Sequence, residues 1–148
     1  MSWPEPVERV AAFLLAAGAE ARIEELDEPV PTVAAAAETI GCDPGRIVKS
    51  YAYDCDGRDV VVLVPGDRRA DPVKVARALG ASSARTTGTE EIAAFPPAEV
   101  ERVLIEHTLL ALDSVWIGAG TDHHVARLAP GELMRLAKAE SLDAVAEG

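Results

Sequence analysis

Cysteine is nearly absent from this chain: Cys42 and Cys55 are the only two in 148 residues. Two isolated cysteines offer a domain of this size no disulfide framework. Long apolar runs are missing too. None approaches the roughly 20 residues that a membrane helix needs, and the first residues lack the basic and long apolar regions of a signal peptide. The expectation is a reduced, cytoplasmic protein without a membrane partner. Positive charge is scarce: 14 Lys and Arg stand against 25 Asp and Glu, a net −11. That balance excludes broad, non-specific nucleic-acid binding. No serine or cysteine sits in a Gly-x-Ser-x-Gly elbow, so a triad hydrolase is not indicated. His123-His124 beside Asp122 invites a metal reading, but strand neighbours point to opposite faces and neither cysteine has the spacing to join them. No metal and no cofactor are expected. Low complexity, linkers and repeats are also missing, so residues 1–148 read as one domain.

What is present is an ordinary globular composition, 49% apolar and 26% charged. The charge is uneven. From Arg46 to Arg85 eight basic residues face five acidic ones, a local +3 that leaves −14 on the rest. An acidic body with a basic middle fits a small anionic ligand, or one end of a nucleic acid, better than a long duplex; a solvated surface would give the same count.

The chain is organised around a hairpin. Arg46–Tyr53 and Asp59–Asp67 are both rich in β-branched or aromatic residues, and Asp56-Gly57 supplies the positive φ of a tight turn. The second arm is nearly all apolar and should be buried on both faces. Lys49 interrupts the first arm. By alternation it shares a face with Ile47 and Tyr51, opposite Val48 and Ser50. It reads either as an edge-strand lysine reaching water or as a functional cation.

Around the hairpin, a helical stripe runs from Pro6 to Ala17, and Arg22–Leu26 reads as a strand. Thr32 caps a helix to Ile40, stopped by Gly41. Asp71-Pro72 starts another, ended by Gly80. Ala84–Thr87 reads as a short strand, and Thr89 caps a brief helix over Glu90–Ala94. Ala98–Leu112 fits helix or strand. Ser114–Ala119 and His124–Leu128 are antiparallel strands around a turn, Pro130 opens a last helix, and the tail from Ala139 reads as poorly anchored. Gly118-Ala119-Gly120 could present backbone N–H groups as an anion or oxyanion site, or be a plain hairpin turn. Arg68-Arg69 is a solvated loop or a phosphate-facing pair. A turn histidine such as His123 suits a hydrogen bond to a ligand.

Several pieces stand in the order seen in the YbaK/prolyl-tRNA synthetase-associated domains. They are Thr32-Val33, Ile47-Val48-Lys49-Ser50, Val62–Arg69, Ala78-Leu79-Gly80-Ala81, Val115–Gly120 and Leu128–Leu133. The chain resembles that family over about residues 30–140, most specifically in the Lys-Ser strand and the Val-Pro-Gly-Asp-Arg-Arg run. The resemblance implies a single α+β domain, a curved, mixed and largely antiparallel sheet with flanking helices. It implies an aminoacyl-tRNA deacylase, which hydrolyses the ester of mischarged tRNA in trans for translation fidelity. No protein nucleophile would be needed, because substrate hydroxyls help to activate water. Lys49, Gly118 and Gly120 are the implied catalytic positions. Ser50, Tyr51, Arg68, Arg69, Phe95, Ala119, Thr121 and His123 are the candidate substrate contacts. The implied partner is the acceptor end of tRNA, with an aminoacyl-tRNA synthetase left open as a second. A non-catalytic module binding an aminoacyl-nucleotide or small anion is the alternative. One stretch departs from the family, whose Gly-Gly-Val-x-Pro-Phe-Gly-like loop is replaced by Ala94-Phe95-Pro96-Pro97-Ala98. Pocket size and substrate therefore do not carry over. Two prolines should stiffen this loop, and Phe95 should either cap the pocket or plug the core.

Overall fold

A computed structural model describes residues 3–95 and 99–147. Helix α1 (Glu5–Ala16) leads into β1 (Ala21–Glu25). Helix α2 (Val33–Ile40) begins at Thr32, whose hydroxyl accepts the Ala35 N–H, and stops at left-handed Gly41. The hairpin β2 (Val48–Cys55) and β3 (Arg58–Pro65) turns on Asp56 and Gly57, at φ 55° and 87°. Two positive φ angles in a row match the right-handed strand twist. Helix α3 (Pro72–Leu79) has Asp71 as its cap, accepting the Val73 N–H. Then come β4 (Arg85–Glu90), β5 (Arg102–Glu106), β6 (Val115–Gly118), β7 (His124–Leu128), α4 (Pro130–Ala137) and β8 (Glu140–Leu142).

The strands form two sheets, β4-β2-β3-β5-β8 and β1-β7-β6. The β3–β5 and β5–β8 pairs are parallel and the others antiparallel. The α+β fold with mixed, largely antiparallel pairing is as expected, its strands shared between two sheets that meet through parallel bridges Ile47–Trp116 and Ala94–Gly118. Helices α1 and α4 share the central core with Val48 and Leu63 of the large sheet and Ile117 and Ala126 of the small one. Val75 of α3 packs on the outer face of the large sheet, with Val60, Val62 and Val64. Val33 and Ala36 of α2 pack on the outer face of the small sheet, with Trp116 and Val125. No helix among the described residues is long and apolar enough to cross a membrane.

Three local expectations give way. Residues 90–94 form no helix: β4 extends through Glu90, because Thr86, Thr87 and Thr89 are β-formers beside an open strand. The ambiguous stretch before Leu112 contains β5 and then a 3-10 turn over His107–Ala111. The tail is anchored. Ala144 and Val145 are buried, and the Ala144 N–H donates to the carboxylate of Glu106, itself fully buried. Burial alone would raise the Glu106 carboxyl. Hydrogen bonds from Thr108 and from the Ala144 N–H outweigh that and hold it below the usual carboxylate range.

Candidate functional site

Alternation on the hairpin decides what faces inward. Ser50 pairs with Leu63 and Ala52 with Val61, and directly opposed residues share a face. These four line a cavity of about 500 Å³, closed by Ala93, Ala94 and Phe95, Ile117, and Leu133 and Ala137 of α4. Its polar lining is sparse: Ser50, with Thr89 and Glu90 from the edge strand β4. Such a volume suits a small ligand, and the apolar wall suits an aliphatic side chain.

A second cavity, about 420 Å³, shares Ala94 and Phe95 with the first. Gly118, Gly120, Thr121, Asp122 and His124 line it, opposite Glu91 and Pro31. Here the chain is built for close approach. A Cβ on Gly120 would stand 2.7 Å from the Pro6 carbonyl, and its φ of +110° favours glycine independently. His124 is 3% exposed and its Nδ1 lies 2.6 Å from Thr121 Oγ1. Thr121 Oγ1 also accepts the His123 N–H at 3.2 Å, so its own proton is free for Nδ1. Nε2 faces Glu25 Oε2 at 3.2 Å but off the line of a hydrogen bond, so it is buried without a proper partner. Trp3 meets the ring edge-on.

Phe95 is 3% exposed, packs at 5.9 Å from the Phe13 ring, and is pinned by its N–H to the Gly118 carbonyl. It therefore belongs to the core while forming the wall common to both cavities. Pro96, Pro97 and Ala98, where the stiff loop was expected, lie outside the described residues.

The remaining candidates separate. Ser50 and Phe95 reach the apolar cavity; Gly118, Gly120, Thr121 and Phe95 reach the polar one. Lys49 and Tyr51 lie on the other hairpin face, paired with Val64 and Val62, and line neither. Lys49 Nζ sits 5.7 Å from the Tyr51 ring centre. The Gly118 and Ala119 N–H groups donate to the carbonyls of Ala93 and His124, so those two amides are committed within the fold rather than presented as oxyanion donors. Arg68 is turned to the tail, donating to the Ala146 carbonyl, and the Arg69 carbonyl accepts the Ala146 N–H. Neither arginine reaches the cavities. The run Val64-Pro65-Gly66-Asp67 has a packing reason instead: a Cβ on Gly66 would meet Pro44 O and Val33 Cγ1 at 2.7 Å. His123 is half-buried near Asp122, while His124, one residue on, is the histidine in the site. Alternation shows that only one of the two can face inward, but not which. Among the described residues, Glu106, His107 and Asp143 come close enough to hold a metal, and none of the three lines either cavity. Lys74 already donates to Asp143, and Glu106 is occupied by Thr108 and Ala144.

A family profile described as aminoacyl-tRNA editing domain matches residues 27–136, a span that holds every residue lining the two cavities except Ala137. The chain belongs to that family. Relatives of this editing domain include the proline–tRNA ligase of Geobacillus kaustophilus, 30% identical over 129 residues, covering 79% of the chain and 23% of the ligase. The enzyme of Maridesulfovibrio salexigens is 26% identical over 138 residues, covering 84% and 24%. The chain thus spans about a quarter of these ligases. A solved structure described as a candidate trans-editing enzyme for prolyl tRNA synthetase superposes with a TM-score of 0.83 at 26% identity, covering 99% of the chain and all of that protein. A hypothetical protein superposes at 0.84 with 22% identity, over 93% and 99%, a likeness of fold.

Proposed function

We propose that this editing domain is an aminoacyl-tRNA deacylase acting in trans, which hydrolyses the ester of mischarged tRNA. The observation that carries the reading is the pair of cavities joined at Ala94 and Phe95. An aminoacyl ester has two parts of different chemistry: a side chain to be measured and a ribose ester to be held. The apolar cavity takes the side chain. The polar cavity takes the ester and the terminal ribose, where Thr121 and the unpartnered Nε2 of His124 orient the hydroxyls and the carbonyl. Water attacks the carbonyl carbon, the ribose oxygen leaves with a proton, and a neighbouring ribose hydroxyl relays it, so no side-chain nucleophile is required.

Lys49 keeps a role from outside the cavities. It stands beyond the last β2–β4 pair, Ser50 with Glu90, and has no ion-pair partner among the described residues. Its ammonium is therefore available to a phosphate of the acceptor end. The test is deacylation of a panel of mischarged tRNAs by the wild type and by Lys49→Ala. The expected outcome is hydrolysis of amino acids with small or aliphatic side chains, and a loss of about 10-fold in kcat/KM in the variant, the worth of one charge-assisted contact to phosphate. Absence of hydrolysis across the panel would refute deacylation; full activity of the variant would remove Lys49 from the site.

A second reading, a binding module without turnover, draws on one observation. The Gly118 and Ala119 amides that would serve as oxyanion donors are already used within the fold. Tight binding of an aminoacyl-adenosine analogue with no hydrolysis would favour it.

A further inference from the structure

The edge strand β4 is exposed at every residue from Arg85 to Glu90. It pairs with β2 on one side and has no strand on the other among the described residues. Edges of this kind are ordinarily protected by lysine, proline or a covering element. β4 contains no Lys or Pro, only a register shift opposite Ala52 and Tyr53. The glycine inside it is not required by any close contact within the chain. A Cβ on Gly88 would meet nothing within 4 Å, and its φ is not positive. A strand glycine with open space around it suits the close approach of another backbone.

We propose that β4 pairs with β4 of a second copy of this chain, antiparallel about a two-fold axis through the gap between Thr87 and Gly88. The sequence Arg-Thr-Thr-Gly-Thr-Glu is complementary to itself in that register. Arg85 faces the other copy's Glu90, Thr86 faces Thr89, and Thr87 faces Gly88. Side-chain direction agrees. Arg85 pairs with Asp54 and Glu90 with Ser50 on one face of β2, while Thr86 pairs with Tyr53 and Thr89 with Tyr51 on the opposite face. Thr87, the residue left over by the register shift, falls opposite glycine, the smallest possible neighbour. Opposite charges and threonine pairs are both favourable cross-strand neighbours. Arg85 Nη2 already donates to Asp54 at 3.1 Å, but a guanidinium has donors to spare. Isologous two-fold pairing closes, so it gives a dimer and not a fibre. Six residues a side is a small interface, so the dimer is reversible and concentration-dependent. Because Gly88, Thr89 and Glu90 line the apolar cavity, this dimer brings the second copy's Arg85 to its rim.

The test is sedimentation velocity on the full chain from about 1 µM to about 1 mM, a readout independent of any activity. The expected result is a reversible monomer–dimer equilibrium. In an Asp54→Asn background, which avoids juxtaposed carboxylates, Arg85→Glu and Glu90→Arg should each weaken the dimer about tenfold. Their combination should restore it. A monomer at every concentration overturns the proposal. So does a dimer indifferent to these variants, or a combined variant as weak as the single ones.

Discussion

The two cavities are neighbours with opposite chemistry. The apolar one is built from regular elements, the inner faces of β2 and β3 and the side of α4, and its shape is fixed by strand alternation. The polar one is built from strand ends and turns: the end of β6 and the turn after it, the start of β7, the residues after β4 and the loop before α2. One wall, Ala94 and Phe95, belongs to both. Under the proposed function, the difference makes size selection and ester positioning separable. A rigid sheet would measure the side chain, while a turn held by Gly120 and Thr121 would present the polar groups.

Removing the common wall should have the largest effect. Phe95→Ala takes a core ring from against Phe13, and a loss of about 3–5 kcal/mol in chemical denaturation is expected. If the variant is destabilised by less than about 1 kcal/mol, Phe95 is a movable cap and the cavities are not separately walled. The next effect lies away from the site and tests whether its scaffold depends on the tail. Glu106→Ala strips the partner from the Ala144 and Thr108 N–H groups, with an expected cost of about 2–4 kcal/mol. Proteolysis should then release the segment after α4; an unchanged digestion pattern would refute the anchoring.

Filling the apolar cavity should alter selectivity alone. Ala52→Leu adds volume beside Val61, so larger aminoacyl groups should lose about 10–200-fold in kcat/KM while the smallest are spared. Equal losses for all substrates would show that the side chain does not enter this cavity. The smallest effect is one of pH. The Arg135 guanidinium, with the Glu20 N–H, holds the Glu132 carboxyl down at about 2, from an ordinary 4.5. A depressed carboxyl contributes stability that is present above about pH 4.5 and lost as pH falls toward 2. Leu133 and Ala137 of the same helix floor the apolar cavity, so this ion pair helps to hold that wall. Glu132→Gln should flatten the melting-temperature slope in this window, and an unchanged slope would contradict the assignment.

Much of the fold could be read from local chemistry. Asp56-Gly57, Thr32, Gly41, Asp71-Pro72 and Gly80 each specify a turn or a helix end through their own backbone requirements, and each stands where expected. What could not be read was set by distant partners. Thr89 and Glu90 are compatible with a helix start until β2 offers a ladder. Arg68 looks like a phosphate ligand until the tail returns and its guanidinium donates to the Ala146 carbonyl, whereas Arg69 is tied to the tail only through its backbone carbonyl. The separation of Lys49 from Ser50 was visible in alternation, but which face holds the cavity depends on where α3 and α4 pack. The choice between His123 and His124 rests on the pairing of β7 with β1, which brings Glu25 opposite His124.

The central claim is that an aminoacyl ester is held in the polar cavity while its side chain is measured in the apolar one. The direct test is single-turnover hydrolysis of one small mischarged aminoacyl-tRNA by the wild type, His124→Ala and Thr121→Val, with melting temperatures recorded in parallel. The account predicts hydrolysis by the wild type and a loss on the order of 10–100-fold in both variants, each retaining a cooperative fold. Wild-type rates in both folded variants would contradict it.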